Sequence, residues 1–166
     1  IQGSTNWAAG GTVIDRQSAV STYGFYLYQT RGIYLKNMVI INAGTAVLVY
    51  ESPGCRFEYV TCKGSSSYGI QLSKCTASFD QCVARDNTTA GLSLDAANVV
   101  WQNGIIWGDS HAVTFSSGSG VFSNSILRAS GSGKRIFNLG AAGSAKGDYN
   151  DLIHAEGAYV GGVIAP

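Results

Sequence analysis

Hydrophobic and polar positions along this chain repeat at a nearly constant interval. Most repeats open with a large apolar residue, have a polar residue two positions later and then an apolar pair. The copies begin 22, 22, 22, 21 and 26 residues apart, at Leu35, Phe57, Phe79, Trp101, Phe122 and Asp148. A weaker copy begins at Val13. The period predicts a solenoid in which one repeat makes one coil.

A second set of runs keeps the same period. In most runs a Gly or another small residue is followed by apolar, variable and apolar positions. The runs start at Gly24, Ala46, Gly69, Gly91, Ala112 and Arg135. Two short strands per period cannot bury their apolar sides alone, so each coil must stack on the next one. We therefore predict a single all-β domain over residues 1–166, a parallel solenoid of about seven coils of about 22 residues.

The residues that open the repeats should share one column inside the solenoid. Side chains one period apart lie above each other, at the roughly 4.8 Å separation of neighbouring strands. This predicts an inward ladder of large apolar residues, formed by Leu35, Phe57, Phe79, Trp101 and Phe122. By the same reasoning, Tyr28 and Tyr50 should form an outward stack.

A polar column follows two positions after the ladder. It contains Asn37, Asn103, Asn124 and Asn150, with Tyr59 and Gln81 in two of the coils. Because Asn tolerates left-handed backbone angles, we expect this column at a corner. Two adjacent apolar columns come next, starting at Val39 and Ile40. They cannot both point inward from one flat strand. Either the chain bends between them, or one forms an exposed apolar stripe.

The repeat becomes less regular after Leu127. Residues 130–134 and 139–147 are rich in Gly, Ser and Ala and lengthen one coil, so we expect a projecting loop there. The chain does not begin with Met, and neither end has a polar cap. Open solenoid ends favour a piece of a longer chain, or copies that meet end to end.

Composition limits the classes of partner. Charged residues make up 13% of the chain, against roughly a quarter in ordinary globular proteins. The formal net charge of +1 gives no overall attraction to nucleic acid or to an anionic membrane. No apolar run approaches the roughly 18 residues of a membrane-spanning helix. Asn87, Thr88 and Thr89 form a glycosylation sequon on a predicted turn, which matters only for a secretory protein.

The four cysteines, Cys55, Cys62, Cys75 and Cys82, lie in two adjacent coils. No CXXC pair occurs and the chain has only two histidines, which disfavours a zinc site. Two interpretations stay open. The thiols are small apolar core residues, or disulfides join Cys55 to Cys75 and Cys62 to Cys82. A diagonal offset between coils would strain such disulfides.

One outward column carries candidate chemistry. The position four residues after the Asn column predicts a line of side chains across five coils, formed by Lys63, Arg85, Trp107, Arg128 and His154. Cations pair with carboxylate or sulfate, and Trp offers a flat face to a sugar ring. This line is therefore a candidate site for an acidic polysaccharide, and the alternative is a solvated stripe that binds nothing.

Another column places Glu58 and Asp80 between Lys36 and Gln102. A calcium ion needs 6–8 oxygen ligands, so this column favours a charge ladder over a metal site. We predict no metal and no cofactor. His111 and His154 are the only conventional general bases near neutral pH, and they lie two coils apart. Lys and Arg can serve as the base in lyases, so Arg85 and Arg128 stay candidates.

The segments WQNGIIWG, FSNSILRA and GDYNDLIHA resemble the parallel β-helix repeat of the pectate-lyase-like superfamily, over about residues 13–162. The resemblance implies a right-handed helix of parallel strands. The superfamily includes polysaccharide lyases, glycoside hydrolases, adhesins and repeat modules of large bacterial surface proteins, and the ending GDYNDLIHAEGAYVGG looks most like the last group. Asp109-Ser110-His111 and Lys134-Arg135 match only fragments of polygalacturonase-type patterns, and no adjacent Asp pair occurs.

These observations lead to two functional expectations. The first is a structural repeat module of an extracellular or cell-surface assembly, with copies joined end to end into a filament and no nucleic-acid partner. The second is a carbohydrate-binding or polysaccharide-lyase-like module that uses the line from Lys63 to His154. The incomplete catalytic set favours a protein that is not an enzyme.

Overall fold

A computed structural model of the chain describes residues 12–130, 134–154, 160–161 and 164–165. Every strand pairing in these residues is parallel and joins neighbouring coils, which confirms the predicted solenoid. It has about six turns, against the seven expected. The strands are β1 (Thr12–Tyr28), β2 (Tyr34–Tyr50), β3 (Cys55–Lys63), β4 (Tyr68–Ser73), β5 (Thr76–Asp80), β6 (Val83–Asn87), β7 (Ala90–Asp95), β8 (Ala97–Gln102), β9 (Ile105–Gly108), β10 (His111–Ser123), β11 (Ile126–Ala129), β12 (Arg135–Asp148), β13 (Asp151–His154), β14 (Val160–Gly161) and β15 (Ile164–Ala165).

Each coil has three sheet faces, whereas the sequence pattern predicted two strands per period. The longer strands bend at corners and contribute to more than one face. Face 1 contains residues 23–28, 45–50, 68–73, 90–95, 111–115 and 135–139. Face 2 contains residues 34–36, 55–58, 76–80, 97–102, 118–123 and 142–148. Face 3 contains residues 12–15, 38–41, 60–63, 83–87, 105–108, 126–129 and 151–154.

The Asn column lies at the corner between face 2 and face 3. Its residues have left-handed backbone angles, with φ values of 56° at Asn37, 55° at Asn103 and 48° at Asn124. Tyr59 and Gln81 adopt the same conformation in the coils that lack Asn. This corner splits each sequence repeat between two faces, because the residue before it and the apolar pair after it belong to different strands.

In the last coil the corner lies one position before Asn150, the residue that was predicted to form it. Tyr149 has the left-handed angle, with a φ of 53°, because Ser123 and not Phe122 pairs with Asp148. Asn150 instead joins two coils through its amide. Its Oδ1 accepts from the backbone N–H of Ser125 at 3.1 Å, and its Nδ2 donates to the backbone carbonyl of Phe122 at 2.8 Å.

The opening residues of the repeats form a buried column on face 2. Strand pairing aligns Leu35, Phe57, Phe79, Trp101 and Phe122 in neighbouring coils, and each is at most 1% exposed. The rings of Phe57 and Phe79 stack with centroids 4.5 Å apart, and those of Phe79 and Trp101 with centroids 4.9 Å apart. On the outside of face 1, Tyr28 and Tyr50 stack at 5.7 Å.

Face 3 resolves the question of the two neighbouring apolar columns. The column of Ile40, Cys62, Ala84, Ile106 and Leu127 is buried. The column of Val39, Thr61, Val83, Ile105 and Ile126 points outward and is half-buried or exposed. Alternation along a strand therefore leaves an exposed apolar stripe, which is one of the two outcomes that the sequence allowed.

All four cysteines are free thiols buried in the core. The disulfides considered as an alternative are absent, because the strand register pairs Cys55 with Ala77 and Cys62 with Ala84. Each thiol pair is therefore offset by two residues along the strand. Burial raises the pKa of Cys62 well above its usual value, and raises the pKa values of Cys75 and Cys82 to about 12.

We expect the native protein to react slowly with a disulfide reagent at pH 8. A thiol with a raised pKa carries almost no thiolate at that pH, and the thiolate is the reactive form. Unfolding in guanidinium chloride removes the burial and should release four reactive thiols at once. The measurement is the absorbance change with Ellman's reagent before and after denaturation. Rapid labelling of Cys62 or Cys82 in the native state would contradict the buried arrangement.

Three further expectations differ from the structure. Val13 pairs with Val39, not with Leu35, so the first copy is displaced by four residues. Residues 139–147 do not project, since they continue along β12 beside β10 with one register shift. Residues 131–133 of the other expected loop lie outside the described residues. The sequon residue Asn87 is buried, and its amide accepts from the Ser65 backbone N–H at 3.0 Å, so it is closed to glycosylation.

The described residues contain no helix of the length and apolar character that a bilayer crossing requires.

Candidate functional site

The outer surface of face 3 carries two parallel columns of side chains. Its strands are short and their side chains alternate in β9 and β11, so each of these coils presents two outward residues, whereas β6 contains one extra residue. The first outward column is the apolar stripe defined above. The second contains Ile41, Lys63, Arg85, Trp107, Arg128 and Ile153. We call the four middle residues, Lys63, Arg85, Trp107 and Arg128, the basic column.

Lys63 and Arg85 are direct neighbours in the strand register. A bulge follows, because the pairing of β6 with β9 shifts between Ala84 and Asn87. The extra residue in this bulge is Asp86, whose left-handed φ of 55° turns the chain toward face 1. Its carboxylate lies 3.3 Å from a guanidinium nitrogen of Arg85. The Arg85 charge is therefore partly compensated.

Trp107 and Arg128 are in direct side-chain contact within the basic column. They are direct neighbours in the register, and the guanidinium carbon of Arg128 lies 4.2 Å from the centroid of the Trp107 ring. The indole Nε1 of Trp107 donates to the hydroxyl of Ser130 at 2.7 Å. One face of the indole is thus covered by Arg128. Arg128 therefore occupies one face of the ring that was predicted to contact a sugar.

His154 does not join this column. The register pairs Arg128 with Ile153, and it pairs His154 with Ala129. The expected alignment failed because the last coil step is 25 residues at this position instead of the 26 inferred from the sequence. Ile153 is 39% exposed and extends the column with an apolar residue.

The charges of the basic column are unevenly balanced. Within the described ranges, Arg85 is the one member with a carboxylate partner, since neither Lys63 nor Arg128 forms an ion pair there. Cations that have no internal partner are available to an external anion. The column contains no carboxyl group and no histidine, which are the groups that usually act as acid or base in a hydrolase.

The carboxylates of face 2 are occupied by neighbouring side chains. Lys36 lies 3.1 Å from Glu58, and the Tyr34 hydroxyl also donates to Glu58. These hydrogen bonds hold the pKa of Glu58 below its ordinary value. Asn103 donates to Asp80 at 2.8 Å. The register aligns Lys36, Glu58, Asp80 and Gln102 as expected, but the hydrogen bond to Asp80 comes from Asn103. The described residues contain no group of three possible metal ligands.

Sequence reasoning missed two surface features. Asp86 is the first, and the pattern did not point to it. A charged residue that has no counterpart in the neighbouring repeats could have indicated the extra residue of the bulge. The other is a groove of about 380 Å³ on face 2, lined by small side chains that include Thr76, Ser78, Asn98 and Val100. No motif marks it, because its shape comes from small residues stacked in four coils.

The comparisons with known proteins give one family match and two solved structures of low similarity. A family model described as a right-handed β-helix region matches residues 23–160. The solved structure of pectate lyase Pel9A is 14% identical, with a TM-score of 0.46 over 90% of this chain and 53% of that one. The fluoroquinolone resistance protein QnrB1 is 14% identical, with a TM-score of 0.20 over 82% of this chain and 91% of that one.

The chain thus spans about half the length of the pectate lyase. A search of curated proteins finds no match. The family match covers most of the chain and includes every coil that carries the basic column. This chain belongs to the right-handed β-helix family.

Proposed function

We propose that this β-helix is a binding module for an acidic polysaccharide at the cell surface or outside the cell. The single observation that supports this most is the basic column on face 3. Lys63 and Arg85 are paired in the register, as are Trp107 and Arg128, and these outward residues come from four successive coils with one bulge between the two pairs. Coils stack roughly 4.8 Å apart, so the line extends over about 14 Å.

The geometry suits a linear polymer that lies along the solenoid axis. Each coil offers one outward group, so a chain with regularly spaced carboxylates or sulfates meets Lys63, Arg85 and Arg128 in turn. The adjacent apolar stripe, with Val83, Ile105 and Ile126, gives the C–H surfaces of sugar rings a surface to contact. A guanidinium stacked on an indole is pre-oriented, which lowers the entropy cost of binding.

The test is a binding titration with polygalacturonate, a sulfated polymer and neutral dextran at low salt. We expect the two anionic polymers to bind and dextran not to bind. A variant with Lys63→Gln, Arg85→Gln and Arg128→Gln should lose about tenfold in affinity, since three exposed charge contacts of about 0.5 kcal/mol each sum to roughly 1.5 kcal/mol. Binding should weaken as salt increases.

The matched control removes the same number of positive charges elsewhere. Arg16, Arg31 and Lys146 are exposed and lie outside the basic column, and their replacement by Gln should leave the affinity within about twofold. Equal losses in both variants would show that the attraction is not located on face 3. An ultraviolet assay for unsaturated products belongs in the same experiment, because product formation would make the module a lyase.

A second candidate is the structural module with self-association. The observation that favours it is the outward apolar stripe, of which Ile126 is 38% exposed, because exposed apolar strips mark contact surfaces. The end-to-end contact expected from the sequence involves residues outside the described ranges and stays a prediction. Light scattering separates the two candidates. A monomer that binds the anionic polymer supports the binding module. An assembly that grows with protein concentration and does not bind the polymer supports the structural module.

A further inference from the structure

A second group of basic residues lies at the corner where face 3 meets face 1. Strand β10 begins at His111 and strand β12 begins at Arg135, in the next coil. The register pairs these two residues directly. Lys134 immediately precedes Arg135, so three nitrogen-bearing side chains from two adjacent coils are brought to one place. None of them belongs to the basic column of face 3.

The protonation of His111 follows from its contact with the neighbouring coil. Its Nδ1 accepts a hydrogen bond from the backbone N–H of Arg135 at 3.2 Å. In the neutral ring the proton must then sit on Nε2, which becomes a donor. Burial lowers the pKa of His111, and the charges of Lys134 and Arg135 lower it further against the raising effect of that hydrogen bond.

The other two side chains present donors beside it. The Lys134 ammonium lies 3.5 Å from the Ser110 hydroxyl. The Arg135 guanidinium donates through Nη1 to the side-chain carbonyl of Asn138 at 3.3 Å, and a guanidinium has five N–H donors in all. None of the ion pairs in the described residues involves Arg135. Positive charge and N–H donors are therefore gathered without a carboxylate against Arg135.

We propose that His111, Lys134 and Arg135 form a binding site for an oxyanion, meaning a carboxylate, sulfate or phosphate group. A guanidinium fork recognises two oxygens of such a group, an ammonium supplies a point charge, and the Nε2–H of His111 adds a neutral donor. This site stands apart from the proposed function of face 3, because its residues and its test are different.

The test follows the His111 ring signals by NMR in labelled protein during titration with sodium sulfate, with sodium phosphate and acetate as separate arms. Sodium chloride holds the ionic strength constant. We expect a saturable shift of the His111 signals. Arg135→Gln should weaken the apparent affinity at least about tenfold, because it removes a charge-assisted contact. Lys134→Gln should weaken it less, and Arg128→Gln on face 3 should leave it unchanged.

Two results would overturn the proposal. One is a His111 shift that follows ionic strength alone, so that chloride reproduces it. The other is equal affinity in the wild type and in folded Arg135→Gln, with folding checked by circular dichroism. Loss of polymer binding in the face 3 variant with an intact sulfate response would separate the two sites. The differences among sulfate, phosphate and acetate identify which oxyanion geometry fits.

Discussion

Replacing Phe79 by alanine is expected to lower the free energy of unfolding by about 3–5 kcal/mol. Phe79 is 1% exposed and stacks on Phe57 at 4.5 Å and on Trp101 at 4.9 Å. The truncation removes both stacking contacts and leaves a cavity in the middle of the column. Strand pairing on either side fixes the backbone spacing, so the coils cannot close over the space.

The measurement is urea unfolding followed by circular dichroism and by tryptophan fluorescence. Since coils interact mainly with their neighbours, the variant should also unfold over a broader range of denaturant, as the two halves of the solenoid separate energetically. Val100→Ala is the matched control, because Val100 is 40% exposed on the outer side of the same face. It should cost less than about 1 kcal/mol. Equal effects of the two substitutions would contradict the inward ladder.

Gly118→Ala should destabilise the protein by at least about 3 kcal/mol. Gly118 starts the face 2 part of β10 with a φ of 99°, which L side chains rarely adopt. An added Cβ would lie 2.1 Å from the carbonyl oxygen of Ala97 and 2.7 Å from its backbone nitrogen. Relief of this clash requires separating two hydrogen-bonded coils.

The substitution Gly32→Ala measures the cost of the positive φ without the steric clash that an added Cβ causes at Gly118. Gly32 has a left-handed φ of 59°, but a Cβ there would meet no atom within 4 Å. The backbone strain alone should cost about 1–2 kcal/mol, partly offset by the lower entropy of the unfolded chain. Unfolding midpoints of the two variants give the comparison. A Gly118→Ala loss no larger than that of Gly32→Ala would show that the coils are not packed as closely as described.

The central coils could be predicted from the sequence because their period is regular. From Leu35 to Phe122 the steps are 22, 22, 22 and 21 residues, so column positions follow by counting. The strand register aligns Phe57, Phe79 and Trp101 as that count requires. The pairs Lys63–Arg85 and Trp107–Arg128 followed from the same count, whereas the bulge between Ala84 and Asn87 did not.

Predictions failed where the chain length between corners varies. Val13 and His154 lie beyond irregular steps, and counting by a fixed period placed them four residues and one residue away from their partners. The third face could not be predicted either, because a corner formed by a single Asn-like residue adds no gap to the hydrophobic pattern. The Trp107 side chain shows a further limit. Its partner Ser130 is 23 residues away, and no local pattern indicates that hydrogen bond.

The sequence by itself determined that this chain coils, and which residues in the regular coils stack above one another, because one period sets both. The tertiary structure alone decided that each coil has three faces, since that depends on backbone angles at residues such as Asn37 and Asp86. It also decided which charges are compensated. Arg85 has a carboxylate beside it because Asp86 follows it in a bulge of the same coil. Arg128 lies on an indole because the strand register sets Trp107 beside it in the neighbouring coil.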